Sequence, residues 1–217
     1  ALLATLFLAG CDKLSAFNSL QAGDLAPDQP DISYGPDARQ KMDIYLPPPH
    51  LRPAPLIVWF YGGSWDSGDK RKYAFVAKRF VDMGYAVAIP DYRLVPDRQY
   101  PVFVADGAQA VAVAQKYAAR HADNIDGRKL VLAGHSAGAY NAMQLVANPK
   151  FLRNVGMARS DIAGIIGLSG PYDFYPYDVR ATQIAFGDTP AADSQPVHQN
   201  LQGMPPLLLI TGEDDRT

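Results

Sequence analysis

The residue with the clearest chemical potential is Ser136, which lies in a Gly-His-Ser-Ala-Gly pattern over residues 134–138. A strand-like run precedes the pattern and a helical run follows it, so we expect a sharp turn with the serine at its tip. Glycine two residues to either side leaves room for neighbouring elements. The first helical N–H groups, beginning at Ala137, favour a developing negative charge. The pattern predicts a serine nucleophile at Ser136; an incidental serine in a glycine-rich turn is the alternative.

A second glycine pattern, Tyr-Gly-Gly-Ser-Trp, occupies residues 61–65 and ends another apolar, strand-like run. Paired glycines let the backbone approach a reacting carbonyl group closely. The N–H groups of this loop could complete an oxyanion hole together with the N–H of Ala137. An ordinary strand-ending turn is the alternative interpretation.

The elements that must position both patterns alternate between strand and helix. Helical patterns cover residues 73–83 and 137–147, and a third helix is expected to begin near Pro101. Strand-like runs cover residues 42–46, 56–61, 85–89, 129–133, 162–168 and 207–211. This order predicts an α/β fold with a mostly parallel sheet and helices on both faces.

Composition limits the classes of protein that the chain can represent. Its 217 residues, 48% of them hydrophobic, suffice for one folded domain. The 20 basic and 22 acidic residues give a net charge of −2, without the basic excess of a nucleic-acid-binding protein. One cysteine excludes an intramolecular disulfide and a zinc site with several thiolates. The sequence has no phosphate-binding loop, dinucleotide fingerprint or metal-ligand cluster, so we expect neither cofactor nor metal.

The first residues have the pattern of a secretory signal. Residues 1–10 are apolar and end in small side chains before Cys11, and this junction resembles the bacterial lipobox, in which the cysteine is lipidated. We therefore expect a signal and lipobox segment over 1–11, a polar tether over 12–31 and a folded α/β domain over 32–217. A short hydrophobic helix with a buried thiol at Cys11 is the alternative.

This interpretation carries a cellular location. We expect the true start of the protein upstream of Ala1, secretion across the bacterial inner membrane, and a periplasmic or cell-envelope lipoprotein. A lipid on Cys11 would anchor the protein to a membrane, because the sequence has no apolar run long enough to span one.

Taken together, the motifs resemble those of the α/β-hydrolases, specifically bacterial carboxylesterases related to the hormone-sensitive-lipase group and to kynurenine formamidase. Six segments carry the resemblance in the family's order: 41–47, 61–65 with 67–70, 91–94, 134–138, 167–173 and 211–215. Together they imply that the hydrolase domain covers 32–217. The resemblance implies a carboxylesterase that hydrolyses a small-molecule ester through an acyl-enzyme, without a cofactor. An amidase, peptidase or arylformamidase on the same machinery is one alternative, and a membrane-anchored binding protein with an inactive site is another.

The resemblance also implies roles for individual residues. Ser136 would be the nucleophile, and Gly63, Ser64 and Ala137 would supply the oxyanion N–H groups. The acid that orients the catalytic histidine would be Asp215. Asp214 is the alternative for that acid, and a merely solvated acidic turn is the other interpretation.

The chain departs from the family's pattern in two places. Tyr61 stands where the family usually has a histidine, and no histidine follows Asp215, although this fold orders its triad as serine, acid, histidine. We expect the base beyond Thr217, together with a further strand and helix. The 217 residues by themselves would then be nearly inactive. His198 is a weaker candidate for the base.

Two aromatic residues are candidates for the substrate pocket. Trp65 and Tyr172 could line an apolar acyl or aryl pocket, and packing in the core or a lid is the alternative. We also expect Asp91 and Arg93 to form a structural polar pair beneath the site.

Overall fold

The computed structural model of the protein describes residues 13–213. Cys11, Asp214 and Asp215 therefore lie outside the described residues. Within them, seven strands form one sheet in the order β1-β2-β4-β3-β5-β6-β7. The strands are β1 (Gln29–Ser33), β2 (Lys41–Tyr45), β3 (Ala54–Phe60), β4 (Ala86–Pro90), β5 (Ile125–His135), β6 (Gly164–Leu168) and β7 (Leu207–Ile210).

The sheet is parallel from β4 to β7, and only β1 and β2 run antiparallel to their neighbours. Seven α-helices lie in the described part of the chain. They are α1 (Lys13–Ala22), α2 (Ala74–Asp82), α3 (Val102–Arg120), α4 (Ala137–Ala147), α5 (Lys150–Arg153), α6 (Arg180–Phe186) and α7 (Ala191–Ser194). The predicted α/β class with a mostly parallel sheet is confirmed.

Strand β3 shows why helices cover both faces. Neighbouring residues of a strand point to opposite faces. Trp59 packs against Phe80 of α2, with ring centroids 6.1 Å apart, whereas Phe60 packs against Gly107 of α3. Both strand residues are buried, so α2 and α3 cover opposite faces and β3 needs a continuous apolar sequence.

Two amino-terminal elements differ from the sequence prediction. The stretch predicted as a polar tether contains α1 and most of β1. Helix α1 packs on α2 through Phe17 and Phe75, whose ring centroids lie 5.1 Å apart. Asn18 also donates to the carbonyl oxygen of Arg71 and accepts from the N–H of Phe75. Helix α1 is thus held by side-chain contacts with residues more than 50 positions away in the chain, which a local sequence pattern cannot predict.

Strand β7 forms the far edge of the described sheet. Its four apolar side chains are 46–53% exposed within the described part of the chain. Arg159 fixes the segment before it by donating to the carbonyl oxygens of Asn200 and Gln202 and, at the end of α4, to those of Val146 and Ala147. The cation thereby satisfies carbonyls at the negative end of the α4 dipole.

The described helices include none that is both long and apolar enough to cross a membrane.

Candidate active site

Ser136 occupies the junction between β5 and α4, as the sequence predicts. Its backbone has φ +51° and ψ −123°, a conformation that L-residues rarely adopt. Its N–H donates to the carbonyl oxygen of Leu168 at the end of β6, at 2.8 Å. The Ser136 side chain makes no capping hydrogen bond to α4 and is half-buried, so its hydroxyl remains available for chemistry.

Both glycines of the pattern are sterically required. A Cβ at Gly134 would lie 2.5 Å from the main chain of Gly138, and a Cβ at Gly138 would overlap the main chain of Phe60 at the end of β3. Real Cβ atoms do not approach backbone this closely. The turn that projects Ser136 therefore depends on the close approach of β5, α4 and β3.

The second glycine pattern lies against this turn. A Cβ at Gly62 would lie 2.9 Å from Nδ1 of His135 and 3.1 Å from Cβ of Ser136. The next three residues have positive φ angles, which are +127° at Gly63, +49° at Ser64 and +61° at Trp65. The structure thus brings the two predicted glycine patterns together through Gly62.

The backbone of this loop keeps some of its N–H groups free. Those of Asp66 and Ser67 donate to the carbonyl oxygen of Gly63 at 3.0 and 3.1 Å. Among residues 13–213, we find no protein acceptor for the N–H groups of Gly63 and Ser64. Free N–H groups beside a strained serine suit the stabilisation of an oxyanion.

Trp65 lies in the core, with only 3% of its surface exposed. Its indole N–H donates to Oδ1 of Asn141 on α4 at 3.0 Å, and its ring stacks on Phe103 and Phe174. The aromatic environment matches the packing alternative, whereas lining of a substrate pocket remains a prediction for this residue.

Tyr172 follows β6 and is half-buried. Its hydroxyl has no hydrogen-bond partner among the described residues and lies against Gly167 and Gly170, whose missing Cβ atoms make room for it. Burial raises the pKa of the Tyr172 phenol to about 12. Its predicted contact with substrate also remains a prediction.

The polar pair predicted between Asp91 and Arg93 is wrong. Arg93 instead forms a bidentate ion pair with the buried Asp106, with the closest N–O distance 2.7 Å. The Asp91 carboxylate accepts hydrogen bonds from the Tyr61 hydroxyl at 2.6 Å and the Lys70 N–H at 2.8 Å. Arg93 lies two residues beyond Asp91 in the irregular segment after β4, so closeness in the chain does not set the direction in which either side chain points.

Two histidines, His198 and His135, bear on the search for the catalytic base. His198 lies 4.0 Å from a carboxylate oxygen of Asp173 and its side chain is 45% exposed, while His135 is exposed beside Ser136. Among the described residues, no hydrogen bond joins His198 to Ser136. No group of three or more potential metal ligands occurs within residues 13–213.

Sequence reasoning missed two residues that hold the segment 61–70, which we call the glycine loop. Asn141 binds the Trp65 indole from α4, and nothing in its local sequence indicates that contact. Tyr61 was visible only as a departure from the family's histidine, yet its hydroxyl is the link between the loop and Asp91.

The sheet order and the strand–serine–helix turn define an α/β-hydrolase fold. Residues 42–217 match the BD-FAE family model, and the chain therefore belongs to the BD-FAE family of esterase-type α/β-hydrolases.

The chain is similar in sequence to individual members of two groups of esterase-like enzymes. It is 31% identical over 147 residues to kynurenine formamidase of Danio rerio, which covers 67% of this chain and 47% of that protein. It is 30% identical over 149 residues to isoprenylcysteine alpha-carbonyl methylesterase of Arabidopsis thaliana, covering 66% of this chain and 34% of that protein. The chain thus spans half or less of these relatives' length.

Among solved structures, esterase B from Lactobacillus rhamnosis superposes with a TM-score of 0.73 at 18% identity, covering 93% of this chain and 73% of that one. At this identity the likeness concerns the fold alone.

The steric requirement at Gly138 gives a stability prediction. Gly138→Ala should lower the free energy of unfolding by about 1–3 kcal/mol, because the new methyl group must displace the main chain of β3. Denaturant unfolding measures the change. Gly164→Ala is the matched control, since a Cβ there would meet only the carbonyl oxygen of Pro206 at 3.5 Å. Equal stability of the two variants would contradict the steric account.

Proposed function

We propose that this protein is a serine hydrolase that cleaves carboxylic esters through an acyl-enzyme. The observation that carries the proposal is Ser136 in a strained backbone conformation at the start of α4, with the glycine loop packed beside it. Membership of the BD-FAE family supports the same activity.

In this mechanism the Ser136 hydroxyl oxygen attacks the ester carbonyl carbon and its proton passes to a histidine base. The carbonyl oxygen becomes an oxyanion that accepts hydrogen bonds from the N–H groups of Gly63, Ser64 and Ala137. The bond to the leaving oxygen then breaks, and the alcohol departs with the proton from the histidine. Water next attacks the acyl group on Ser136 and releases the acid.

We assign the acid of the triad to Asp215, with Asp214 as the alternative, and place the histidine beyond Thr217 in the full-length protein. Support comes from position: β7 runs parallel to β6, so its carboxyl end lies at the same edge of the sheet as Ser136. The acid is expected after this strand, because the fold orders its triad as serine, acid, histidine.

A second candidate reaction is the hydrolysis of an aryl formamide. The similarity to the fish kynurenine formamidase favours it. Esters and amides differ in the leaving group and pocket, and both can use the same nucleophile and oxyanion hole.

We also propose that Cys11 carries a lipid that anchors the protein to the bacterial envelope. The support is the lipobox pattern in the sequence, in which the chain's single cysteine follows Leu-Ala-Gly. Helix α1 begins at Lys13, two residues after Cys11, and packs on α2. A lipid on Cys11 would therefore hold the hydrolase near the membrane surface.

The nucleophile assignment predicts the effect of Ser136→Ala in the full-length protein. Turnover of an aryl ester should fall by several orders of magnitude, because no other group forms the acyl-enzyme. Ser169→Ala is the matched control: Ser169 follows the neighbouring strand β6 and also has a positive φ, +47°. A Ser136→Ala variant that keeps wild-type turnover would remove this serine from the mechanism.

The reaction class predicts a ranking of substrates. Steady-state kinetics on an aryl ester and an aryl formamide with the same aryl group should give the larger kcat/KM for the ester. A larger value for the formamide would replace the esterase proposal with the formamidase.

The anchor predicts the partition of the full-length protein. Labelling cells with an alkynyl fatty acid should tag the wild-type protein and place it in the membrane fraction, whereas Cys11→Ser should remove both the label and the membrane association. An unlabelled wild-type protein would contradict the anchor.

A further inference from the structure

The first and last residues of the glycine loop, Tyr61 and Lys70, both donate to one carboxylate oxygen. The hydroxyl of Tyr61 donates to Oδ1 of Asp91 at 2.6 Å, and the backbone N–H of Lys70 donates to the same oxygen at 2.8 Å. Asp91 directly follows β4 and is buried. The two ends of the loop are therefore fixed at the carboxyl end of β4, the strand that neighbours β3.

Arg39 adds a cation to this junction. Its Nη2 donates to the Tyr61 hydroxyl at 2.9 Å and to the carbonyl oxygen of Gly68 at 3.0 Å, and its Nε donates to the carbonyl oxygen of Tyr92 at 2.9 Å. The same Nη2 lies 3.7 Å from Oδ1 of Asp91. One guanidinium thus joins the start of the loop, its end and the segment after β4.

The ring of Tyr61 is held separately from its hydroxyl. It stacks between Tyr73 and Tyr92, with centroid distances of 5.2 and 4.9 Å. A Cβ at Gly68 would overlap the Tyr61 ring, so this glycine gives the ring its place. Removing only the hydroxyl leaves the stacking and isolates the polar contacts.

A fixed frame matters here because the middle of the loop is strained. Ser64 and Trp65 both have positive φ angles, which cost free energy for residues with a Cβ and persist only where the surroundings enforce them. Trp65 is enforced by its hydrogen bond to Asn141. Ser64 lies between that anchor and the one at Tyr61.

We propose that Tyr61, Asp91 and Arg39 form a clamp of positioning residues that holds the N–H groups of Gly63 and Ser64 where the oxyanion develops. This inference rests on the proposed function. The three residues position the oxyanion N–H groups without touching the substrate. Its chemistry suits a permanent brace: a buried carboxylate, a hydroxyl and a guanidinium satisfy one another's hydrogen bonds.

Burial raises the pKa of Asp91, and the hydrogen bonds from Tyr61 and Lys70, together with Arg39, act in the opposite direction. The carboxylate therefore depends on its donors, and loss of the Tyr61 hydroxyl leaves part of its buried surface unsatisfied. We expect the loop, whose ends meet on this carboxylate, to respond to that loss.

The test compares Tyr61→Phe with Tyr34→Phe in the full-length protein. The Tyr34 hydroxyl donates to the main-chain oxygen of Asp91, so the control also removes a buried hydroxyl from Asp91 but leaves the loop's contacts intact. Three experiments are made on each variant: steady-state kinetics on an aryl ester, which gives kcat and KM, the melting temperature, and amide hydrogen exchange of the peptide covering residues 62–66.

We expect Tyr61→Phe to lower kcat between about tenfold and a hundredfold with KM within about threefold, because displaced N–H groups weaken binding of the transition state. Exchange over residues 62–66 should quicken. Tyr34→Phe should lower the melting temperature while keeping kcat within about threefold of wild type. If Tyr61→Phe folds poorly, Arg39→Gln takes its place in the test, because the Arg39 side chain is partly exposed. We expect Arg39→Gln to lower kcat as well.

Equal effects of Tyr61→Phe and Tyr34→Phe on kcat, or wild-type exchange over residues 62–66 in Tyr61→Phe, would reduce the clamp to general stability and overturn the proposal. The Ser136→Ala variant separates this failure from that of the function. If turnover survives Ser136→Ala, the serine-hydrolase assignment is wrong. If turnover depends on Ser136 but is unchanged in Tyr61→Phe, only the clamp is wrong.

Discussion

The close approach of three backbone segments is the constraint on which the rest of the structure depends. The end of β3, the end of β5 and the start of α4 meet with no room for a Cβ at Gly134, Gly138 or Gly62. This contact fixes the strained turn at Ser136 and sets the glycine loop beside it. The continuous apolar sequence of β3 and the burial of α4 provide the packing that sustains the strain.

Three buried carboxylates of the described structure each have a charged or hydrogen-bonding partner. Asp106 pairs with Arg93, Asp43 with Lys70, and Asp91 accepts hydrogen bonds from its neighbours. Removing one member of such a pair is costly because the other stays buried without a partner. The contacts of Asp43 and Asp91 connect β2 and the segment after β4 to the glycine loop, so the polar network fixes the position of the loop more uniquely than apolar packing alone would.

The sequence predicted what local pattern determines. The serine turn, the parallel strands and α4 follow from glycine spacing and apolar periodicity, and the structure has them within a few residues; β5 is longer than predicted because it pairs with β3 along most of its length. Helix α1 was missed because its sequence has no clear apolar face and it is held by Phe17 and Asn18 against a distant helix. The partner of Asp91 was wrong because three-dimensional packing, which no local pattern encodes, selects Tyr61 and Lys70.

The most direct test of the central claim is whether Ser136 reacts as an activated nucleophile. The full-length protein is treated with a fluorophosphonate probe, and the modified peptide is identified by mass spectrometry. The account predicts a single phosphonylated residue, Ser136, and no label in Ser136→Ala, because only an activated serine beside an oxyanion hole attacks such a probe rapidly. An intact, folded protein that stays unlabelled, or that is labelled at another serine, would contradict it.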